Sequence, residues 1–209
     1  MEPLTPVTTV EQLEAFGVPK PLVRDKVLGA LEDTHREWIA AASLVFVATS
    51  SADGRCDVSP KGDPAGFVRV LGPTRLAIPE RPGNRRMDGF HNILENPHVG
   101  LILIVPGRSD TLRINGRARL ITDLPNLDDL VVKGHRPSLA LLVDVEEVFF
   151  HCTKAFRRSH TWMPETWQPT AAPAPADIAL ALWRRGQPED QVRRRYAELD
   201  REDLYSEQD

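Results

Sequence analysis

Hydrophobic and polar residues alternate along the middle of the chain, from about residue 44 to residue 122. In the stretch 111–120, Leu112, Ile114 and three other apolar or small residues occupy every second position, with polar residues between them. A period of two is that of a β-strand with one face in the core. The Asp-Gly pair at 53–54 indicates a hairpin turn in the same region. This part of the chain therefore predicts several short, paired strands.

The segment "HVGLILIV" at 98–105 is apolar on both faces, as a central strand covered on both faces is. The segment "LALLVDVEEVFFHC" at 139–152 predicts a long apolar strand. In total about six strands precede any long helix. That order favours an antiparallel sheet or barrel over alternating strand–helix–strand units. The predicted fold class is mainly β with peripheral helices.

Helical periodicity flanks the β region. Residues 11–42 carry an apolar stripe that includes Val23, Val27 and Leu31, and they predict helix. Shorter helices are predicted at 85–95, with Met87, Phe90, Ile93 and Leu94 buried, and near 124–132. The Pro- and Ala-rich stretch 164–177 predicts an extended linker before C-terminal helices. The expected organisation is therefore a helical segment at 1–42, the β domain at 43–165, and a linker with helices at 166–209.

Composition narrows the class of protein. The formal net charge of −4 opposes binding to long nucleic acids, which usually requires a basic excess. Cys56 and Cys152 are far apart and form neither a zinc spacing nor a redox pair, so no metal site is expected. The N-terminus lacks a secretory pattern, and the longest apolar run is too short to span a membrane. We expect a cytoplasmic protein without nucleic-acid or membrane partners.

The stretch "RPGNRRMDG" at 81–89 carries the most informative chemistry. Pro82 and Gly83 predict a turn, and Asn84 is a favoured N-cap, so a helix is expected to begin at Arg85 and Arg86. Cations are disfavoured there, whereas backbone N–H groups at a helix start suit an anion. Two guanidiniums would add bidentate donors for a phosphate. The alternative is that both arginines pair with surface carboxylates.

Two strand arginines extend this hypothesis. Arg69 and Arg113 lie on predicted strands next to the 85–95 helix, on polar faces. Each either points to solvent or contributes to one basic pocket wall together with Arg85 and Arg86. The sequence leaves both interpretations open.

The order of "LAIPERPGNRRMDGFHNILENPHVGLILIVPG" followed by "TLRINGRARL" resembles the pyridoxamine 5′-phosphate oxidase-like family of FMN-binding split barrels. The similarity is closest to a bacterial subfamily of FMN-dependent enzymes whose substrates are unassigned. The stretches "DVSPKGDPAGFVRVL" and "KAFRRSHTWMPETW" match that subfamily too. The resemblance covers roughly residues 20–170.

The resemblance implies a six-stranded antiparallel split β-barrel that forms a homodimer, with FMN in each of two clefts between subunits. It implies that Arg85 and Arg86 hold the FMN phosphate and that Ile78 and Pro79 run beside the flavin ring. The remaining cofactor-binding candidates match positions near the phosphate, the ring edge or the C-terminal region that reaches the flavin: Ser59, Lys61, Arg69, Asn84, Thr111, Arg113, Arg158 and Trp162.

The implied activity is that of an FMN-dependent oxidoreductase with a small-molecule substrate. The basic residues that hold pyridoxal phosphate in the oxidase itself have no matching set here, so oxidation of pyridoxamine phosphate is not expected. No residue is assigned a catalytic role. Two alternatives stay open: a non-catalytic protein that binds flavin, haem or a deazaflavin, and a purely structural β-barrel.

Overall fold

The computed structural model of the protein describes residues 4–122, 127–199, 201–202 and 204–205, with only the backbone described at 127 and 128. Its centre is a seven-stranded sheet in which every paired strand is antiparallel. The spatial order is β2-β1-β5-β6-β7-β4-β3. The strands are β1 (Leu44–Ser50), β2 (Cys56–Gly62), β3 (Arg69–Gly72), β4 (Arg75–Pro79), β5 (His98–Ile104), β6 (Thr111–Ile121) and β7 (Ala140–His151).

The prediction of a mainly β, antiparallel fold with peripheral helices is confirmed, but the strand count and closure differ from the implied barrel. The sheet has seven strands instead of six, and it is open, with β2 and β3 at its edges. A turn that includes Pro64 and Gly66, whose φ is +89°, separates β2 from β3. The chain leaves one edge of the sheet there and resumes at the other edge.

Seven α-helices lie around the sheet in the part of the chain that the structure describes. They are α1 (Val10–Glu14), α2 (Pro21–Arg24), α3 (Asp33–Ala41), α4 (Asp88–Glu95), α5 (Lys154–Arg158), α6 (Pro175–Leu182) and α7 (Glu189–Leu199). Short 3-10 turns lie at Leu127–Leu130, Pro164–Thr166 and Pro169–Ala171. The two predicted C-terminal helices are confirmed as α6 and α7. The helix predicted near 124–132 is represented by the first of the 3-10 turns, and its residues 124–126 lie outside the described part of the chain.

The prediction of helix from 11 to 42 is correct for only about half of that segment. Only α1, α2 and α3 are helical, because Gly17 has a φ of +132° and two prolines follow at 19 and 21. Of the predicted apolar stripe, Leu31 is buried, whereas Val23 and Val27 are exposed. Periodicity alone therefore overestimated both the length of the helix and its burial.

The core lies between the strands and the helices α3 and α4. The face of β6 that carries Leu112 and Ile114 is buried as predicted. Gly116 interrupts this face at a register shift, and a Cβ built there would lie 2.1 Å from the carbonyl oxygen of Asp144. No larger residue fits without moving β7. In the described parts of the chain, no helix has the length and apolar character needed to cross a membrane.

Candidate functional site

The loop between β4 and α4 places the two arginines differently from the prediction. Helix α4 begins at Asp88, and Met87 is its N-cap residue, so the prediction that Asn84 caps a helix starting at 85 is wrong. The Asn84 Oδ1 instead accepts the backbone N–H of Arg86 at 3.1 Å. The loop therefore turns back on itself before the helix starts.

Arg85 and Met87 both adopt φ of +55°, the left-handed conformation that non-glycine residues avoid. Such a backbone costs of order 1–3 kcal/mol per residue and is concentrated at functional sites. Successive N–H groups in alternating right- and left-handed backbone form concave anion-binding sites. Two left-handed residues within three positions therefore make this loop a candidate ligand-binding segment.

The loop forms one wall of a groove of about 450 Å³. Pockets of about 300–1,000 Å³ are typical of cofactor sites. Strands β1 and β2 and helix α4 form the other walls. The apolar floor consists of Val47, Phe67, Phe90 and Ile93. The polar rim consists of Thr49, Asp57, Ser59, Lys61, Glu80, Arg81, Asn84, Arg85, Arg86 and Asp88.

The first turn of α4 lies directly against β1 and β2. A Cβ added at Gly89 would lie 3.1 Å from the Asp57 Oδ2 and 3.4 Å from the Thr49 Oγ1, so glycine permits this close approach. The Asn92 Nδ2 fixes the same helix by donating to the Thr49 Oγ1 at 3.0 Å. Among the described residues no side chain caps α4. The N–H groups of Asp88 and Gly89 therefore lack an intrahelical partner at the groove edge.

The predicted apolar stripe of α4 is only half correct. Phe90 and Ile93 are buried, but Met87 and Leu94 are exposed. Because the helix starts three residues later than predicted, Met87 lies in the loop and does not join the helix's buried face.

Arg86 is paired with a carboxylate, as the alternative interpretation expected. Its Nε donates to the Asp88 Oδ2 at 2.7 Å, and this hydrogen bond raises the pKa of Arg86 above its ordinary value. The side chains of Arg86 and Asp88 are 74% and 48% exposed. Exposed ion pairs are weak, so an anion of higher charge can compete with Asp88 for this guanidinium.

The β2 side of the groove carries a second cation. The Lys61 ammonium pairs with the Glu80 carboxylate and lies 4.6 Å from the centroid of the Phe90 ring. Ser59 follows the same face of β2, and its Oγ donates to the Asp57 Oδ2 at 3.3 Å. This wall thus presents ordered polar groups above the apolar floor.

Sequence reasoning missed Arg81, the best-anchored side chain of the loop. Its Nε donates to the Asp63 Oδ2 at 2.7 Å and its Nη2 to the Leu130 carbonyl at 2.7 Å. The side chains of Arg81 and Asp63 are only 13% and 1% exposed. The motif "ERPGNRR" contains this third arginine, but its partners are remote in sequence.

Half of the predicted site residues meet in the groove, and half lie elsewhere. Those in the groove are Ser59, Lys61, Pro79, Asn84, Arg85 and Arg86. Those outside it are Arg69, Ile78, Thr111, Arg113, Arg158 and Trp162.

The residues outside the groove have their own surroundings. Ile78 and Thr111 are buried at 1% and 5% exposure. Arg69 pairs with Asp129 at 3.2 Å. Arg158 ends α5 on the surface, and the nearby Trp162 donates from its Nε1 to the Arg108 carbonyl at 2.7 Å. Within one chain these residues do not form a single site with Arg85 and Arg86.

Comparison with solved structures finds chains that are similar over little more than half of this one. A candidate pyridoxamine 5′-phosphate oxidase of Lactobacillus delbrueckii is 26% identical, with 58% of this chain and 95% of that chain covered and a TM-score of 0.45. HupZ of Group A Streptococcus is 18% identical, with 57% and 93% covered and a TM-score of 0.46. An FMN-binding protein of Syntrophomonas wolfei is 12% identical, with 56% and 88% covered and a TM-score of 0.38.

A search of the curated proteins found no match. The family model described as pyridoxamine 5′-phosphate oxidase matches residues 31–152, which include all seven strands, the loop with Arg85 and Arg86, and helix α4. Since this match spans more than half of the sequence, the chain belongs to the pyridoxamine 5′-phosphate oxidase family.

Proposed function

We propose that the groove binds FMN and that the protein is an FMN-dependent oxidoreductase acting on a small molecule. One observation carries the proposal. A strained loop holds Arg85 and Arg86 beside the uncapped start of α4, at the edge of a groove of cofactor size. Membership of a family of flavin-type oxidoreductases supports it.

The groove residues fit the two chemically different ends of FMN. Arg85, Arg86 and the first-turn N–H groups of α4 supply donors for a terminal phosphate dianion. The floor of Val47, Phe67 and Phe90 suits a flat apolar ring system. A ligand with one anionic end and one aromatic end matches this division.

Bound FMN would supply the redox chemistry, and the protein would supply binding, orientation and electrostatics. Lys61, held between Glu80 and the Phe90 ring, places a fixed positive charge above the floor. The loop 80–87 forms one wall of the groove. None of the groove residues is assigned as an acid or a base.

The functional unit in this proposal is a homodimer with FMN at the subunit boundary. Six of the predicted cofactor-binding residues lie outside the groove of their own chain, so a partner chain would bring its Arg113, Arg158 and Trp162 to the flavin. Exposed Leu13, Phe16 and other apolar residues of the N-terminal segment also favour association. Sedimentation of the flavin-loaded protein is expected to give a dimer, and a stable flavin-loaded monomer would contradict this.

The decisive test of the cofactor is a titration of the purified full chain with FMN, FAD and riboflavin. FMN is expected to bind most tightly, because riboflavin lacks the phosphate and FAD carries it within a bulkier diphosphate. Riboflavin binding as tightly as FMN would overturn the phosphate site. An absorption spectrum of freshly purified protein adds a second check, since a haem band in place of flavin bands would identify a different cofactor.

A further inference from the structure

The segment after α7 contacts the loop 80–87 through one buried carboxylate. The Tyr205 hydroxyl donates to the Asp63 Oδ1 at 2.5 Å. The Asp63 Oδ2 accepts the Arg81 Nε at 2.7 Å and lies 2.6 Å from the Arg81 Nη2. The Asp63 side chain is almost completely buried, so both of its oxygens need donors from the protein. Tyr205 and the first arginine of the loop therefore share one acceptor group.

The Tyr205 ring has three further neighbours. The Arg81 guanidinium carbon lies 5.7 Å and the Lys133 Nζ 5.4 Å from its centroid, and the His135 ring stacks on it at 6.3 Å. Lys133 and Gly134, with φ of +49° and +84°, form the tight turn before His135. A left-handed non-glycine residue is strained and persists where its surroundings fix it. The turn thus brings a cation and an aromatic ring to Tyr205.

The segment that carries Tyr205 is connected to the two C-terminal helices by ion pairs. The Arg193 Nη2 of α7 donates to the Asp177 Oδ1 of α6 at 2.7 Å. Beyond the end of α7, the Glu202 Oε1 accepts the Arg195 Nη1 at 2.7 Å. Tyr205 follows three residues later, so it approaches the loop from a segment that is itself bonded to α7.

Only a few residues separate Arg81 from the two arginines at the groove edge. Pro82 follows Arg81 directly, and its ring fixes the backbone φ at that position. The Asn84 Oδ1 accepts the backbone N–H of Arg86 at 3.1 Å, and Arg85 between them is left-handed. This short backbone has little freedom, so the position of Arg81 determines where Arg85 and Arg86 lie.

We propose that Tyr205 is a positioning residue for cofactor binding, which acts through Asp63 and Arg81 to hold the loop 80–87 in its phosphate-binding conformation. The inference rests on the proposed function, since the phosphate is that of FMN. A loop with strained backbone needs surroundings that fix it, and a segment fixed before its ligand arrives loses less entropy on binding. Tyr205 lies outside residues 31–152, which the family model matches, so this contact does not follow from family membership.

The first test compares FMN with riboflavin in the full chain. Tyr205→Ala should raise the dissociation constant of FMN roughly two- to tenfold, as the loss of a hydrogen bond does, and should leave that of riboflavin unchanged because riboflavin has no phosphate. A residue that only stabilised the fold would change neither constant in protein that is folded at the assay temperature. Equal FMN constants in wild type and Tyr205→Ala, or an equal loss for both flavins, would overturn the proposal.

Three further variants sharpen this comparison. Tyr196→Ala, on α7, is the matched control and should bind FMN as the wild type does. Tyr205→Phe removes the hydroxyl alone, and it provides the same comparison of the two flavins if Tyr205→Ala fails to fold. In an Arg86→Ala background the effect of Tyr205→Ala on FMN should be smaller, because residues that act through one another are not additive. An undiminished effect in that background would contradict the positioning role.

The second test measures the loop without any flavin. Hydrogen exchange of the backbone amides at 83–87, followed by mass spectrometry, should be roughly two- to tenfold faster in Tyr205→Ala than in wild type and unchanged in Tyr196→Ala. Unchanged exchange in Tyr205→Ala would overturn the proposal whether or not FMN binds. Faster exchange in a protein whose wild type bound no FMN would refute the proposed function and still show that Tyr205 holds the loop.

Discussion

Arg81 and Arg86 lie five residues apart in one loop, and the structure uses them in opposite ways. Arg81 is 13% exposed and bonds to Asp63 and to two backbone carbonyls. Arg86 is 74% exposed, and its side-chain partner among the described residues is the exposed carboxylate of Asp88. The same residue type therefore stabilises the buried interior in one position and is an accessible hydrogen-bond donor in the other. Burial and the number of partners distinguish the two roles.

The contacts around Arg81 and Asp63 also involve the C-terminal part of the chain. The Tyr205 hydroxyl donates to the Asp63 Oδ1 at 2.5 Å, and its ring lies 5.7 Å from the Arg81 guanidinium carbon. The His135 ring stacks on Tyr205 with centroids 6.3 Å apart. Around Arg81 the polar groups are thus satisfied by residues from three distant segments, whereas the partner of the Arg86 side chain among the described residues is its near neighbour Asp88.

The largest expected effect is the loss of folding stability when the buried Arg81 is replaced. Arg81→Ala leaves the Asp63 carboxylate buried without its cation, so the free energy of unfolding should fall by about 3–5 kcal/mol in a denaturant titration. The matched control is Arg75→Ala, which breaks an exposed pair with Asp144 and should cost about 0–1 kcal/mol. Equal losses in the two variants would remove the distinction between buried and exposed arginines.

The next largest expected effect is the loss of FMN affinity when the exposed Arg86 is replaced. Arg86→Ala should raise the dissociation constant of FMN roughly ten- to a hundredfold, the loss expected for a hydrogen bond to a charged group. The melting temperature without FMN should not change, because Arg86 is exposed and a cation near a helix start gives no dipole benefit.

Arg55→Ala is the control for that variant. Arg55 also pairs with an aspartate two residues away, Asp53, and is 80% exposed. It lies in the hairpin between β1 and β2, so FMN affinity should equal that of the wild type. If Arg86→Ala left FMN affinity unchanged as well, Arg86 would be excluded from the phosphate site.

A smaller effect tests whether the Tyr205 hydroxyl contributes to satisfying the buried Asp63 carboxylate. Tyr205→Phe removes one hydrogen bond to the buried Asp63 and keeps the ring over Arg81, so stability should fall by about 1 kcal/mol. Thermal and denaturant unfolding measure this loss. Tyr196→Phe, on α7, is the control. A Tyr205→Phe protein as stable as the wild type would show that Arg81 alone satisfies Asp63.

The sequence predicts the sheet better than it predicts this loop. The alternation in β6 and the apolar run of β5 are governed by which face meets the core, and both strands were predicted within a few residues. The start of α4 was not, because the left-handed backbone at Arg85 and Met87 opposes local preference. Gly89 also lies in close contact with β1 and β2, and no local sequence pattern predicts this contact.

The residues of the candidate site were likewise predicted only where a local sequence pattern or the family resemblance indicated them. Asn84, Arg85 and Arg86 were predicted together because they are neighbours in sequence, and Pro79 was predicted from the family resemblance. Arg81 was missed because its partners come from the β2–β3 turn and from the segment before β7, and only the folded chain brings them to it. Contacts of high sequence separation leave no trace in a single sequence.

Arg113 is an intermediate case between Arg81 and Arg86, and it gives the smallest and most local prediction. It is half-buried, yet it contacts an amide and a ring instead of a carboxylate. Its charge is one cause of the lowered pKa of His151. Replacing it by methionine should therefore raise the pKa of His151 towards the ordinary value, as followed by the imidazole signal in an NMR pH titration.

Lys26→Met should shift the same pKa in the same direction by a smaller amount, because repulsion from Arg113 is the larger of the two charge effects. Burial, the largest cause, remains in both variants, so neither should restore the full ordinary pKa. Arg117→Met should leave the titration of His151 unchanged. A pKa of His151 that did not rise in Arg113→Met would show that Arg113 is already neutralised through Asn115 and Glu147, which would place it with Arg81 as a supporting arginine.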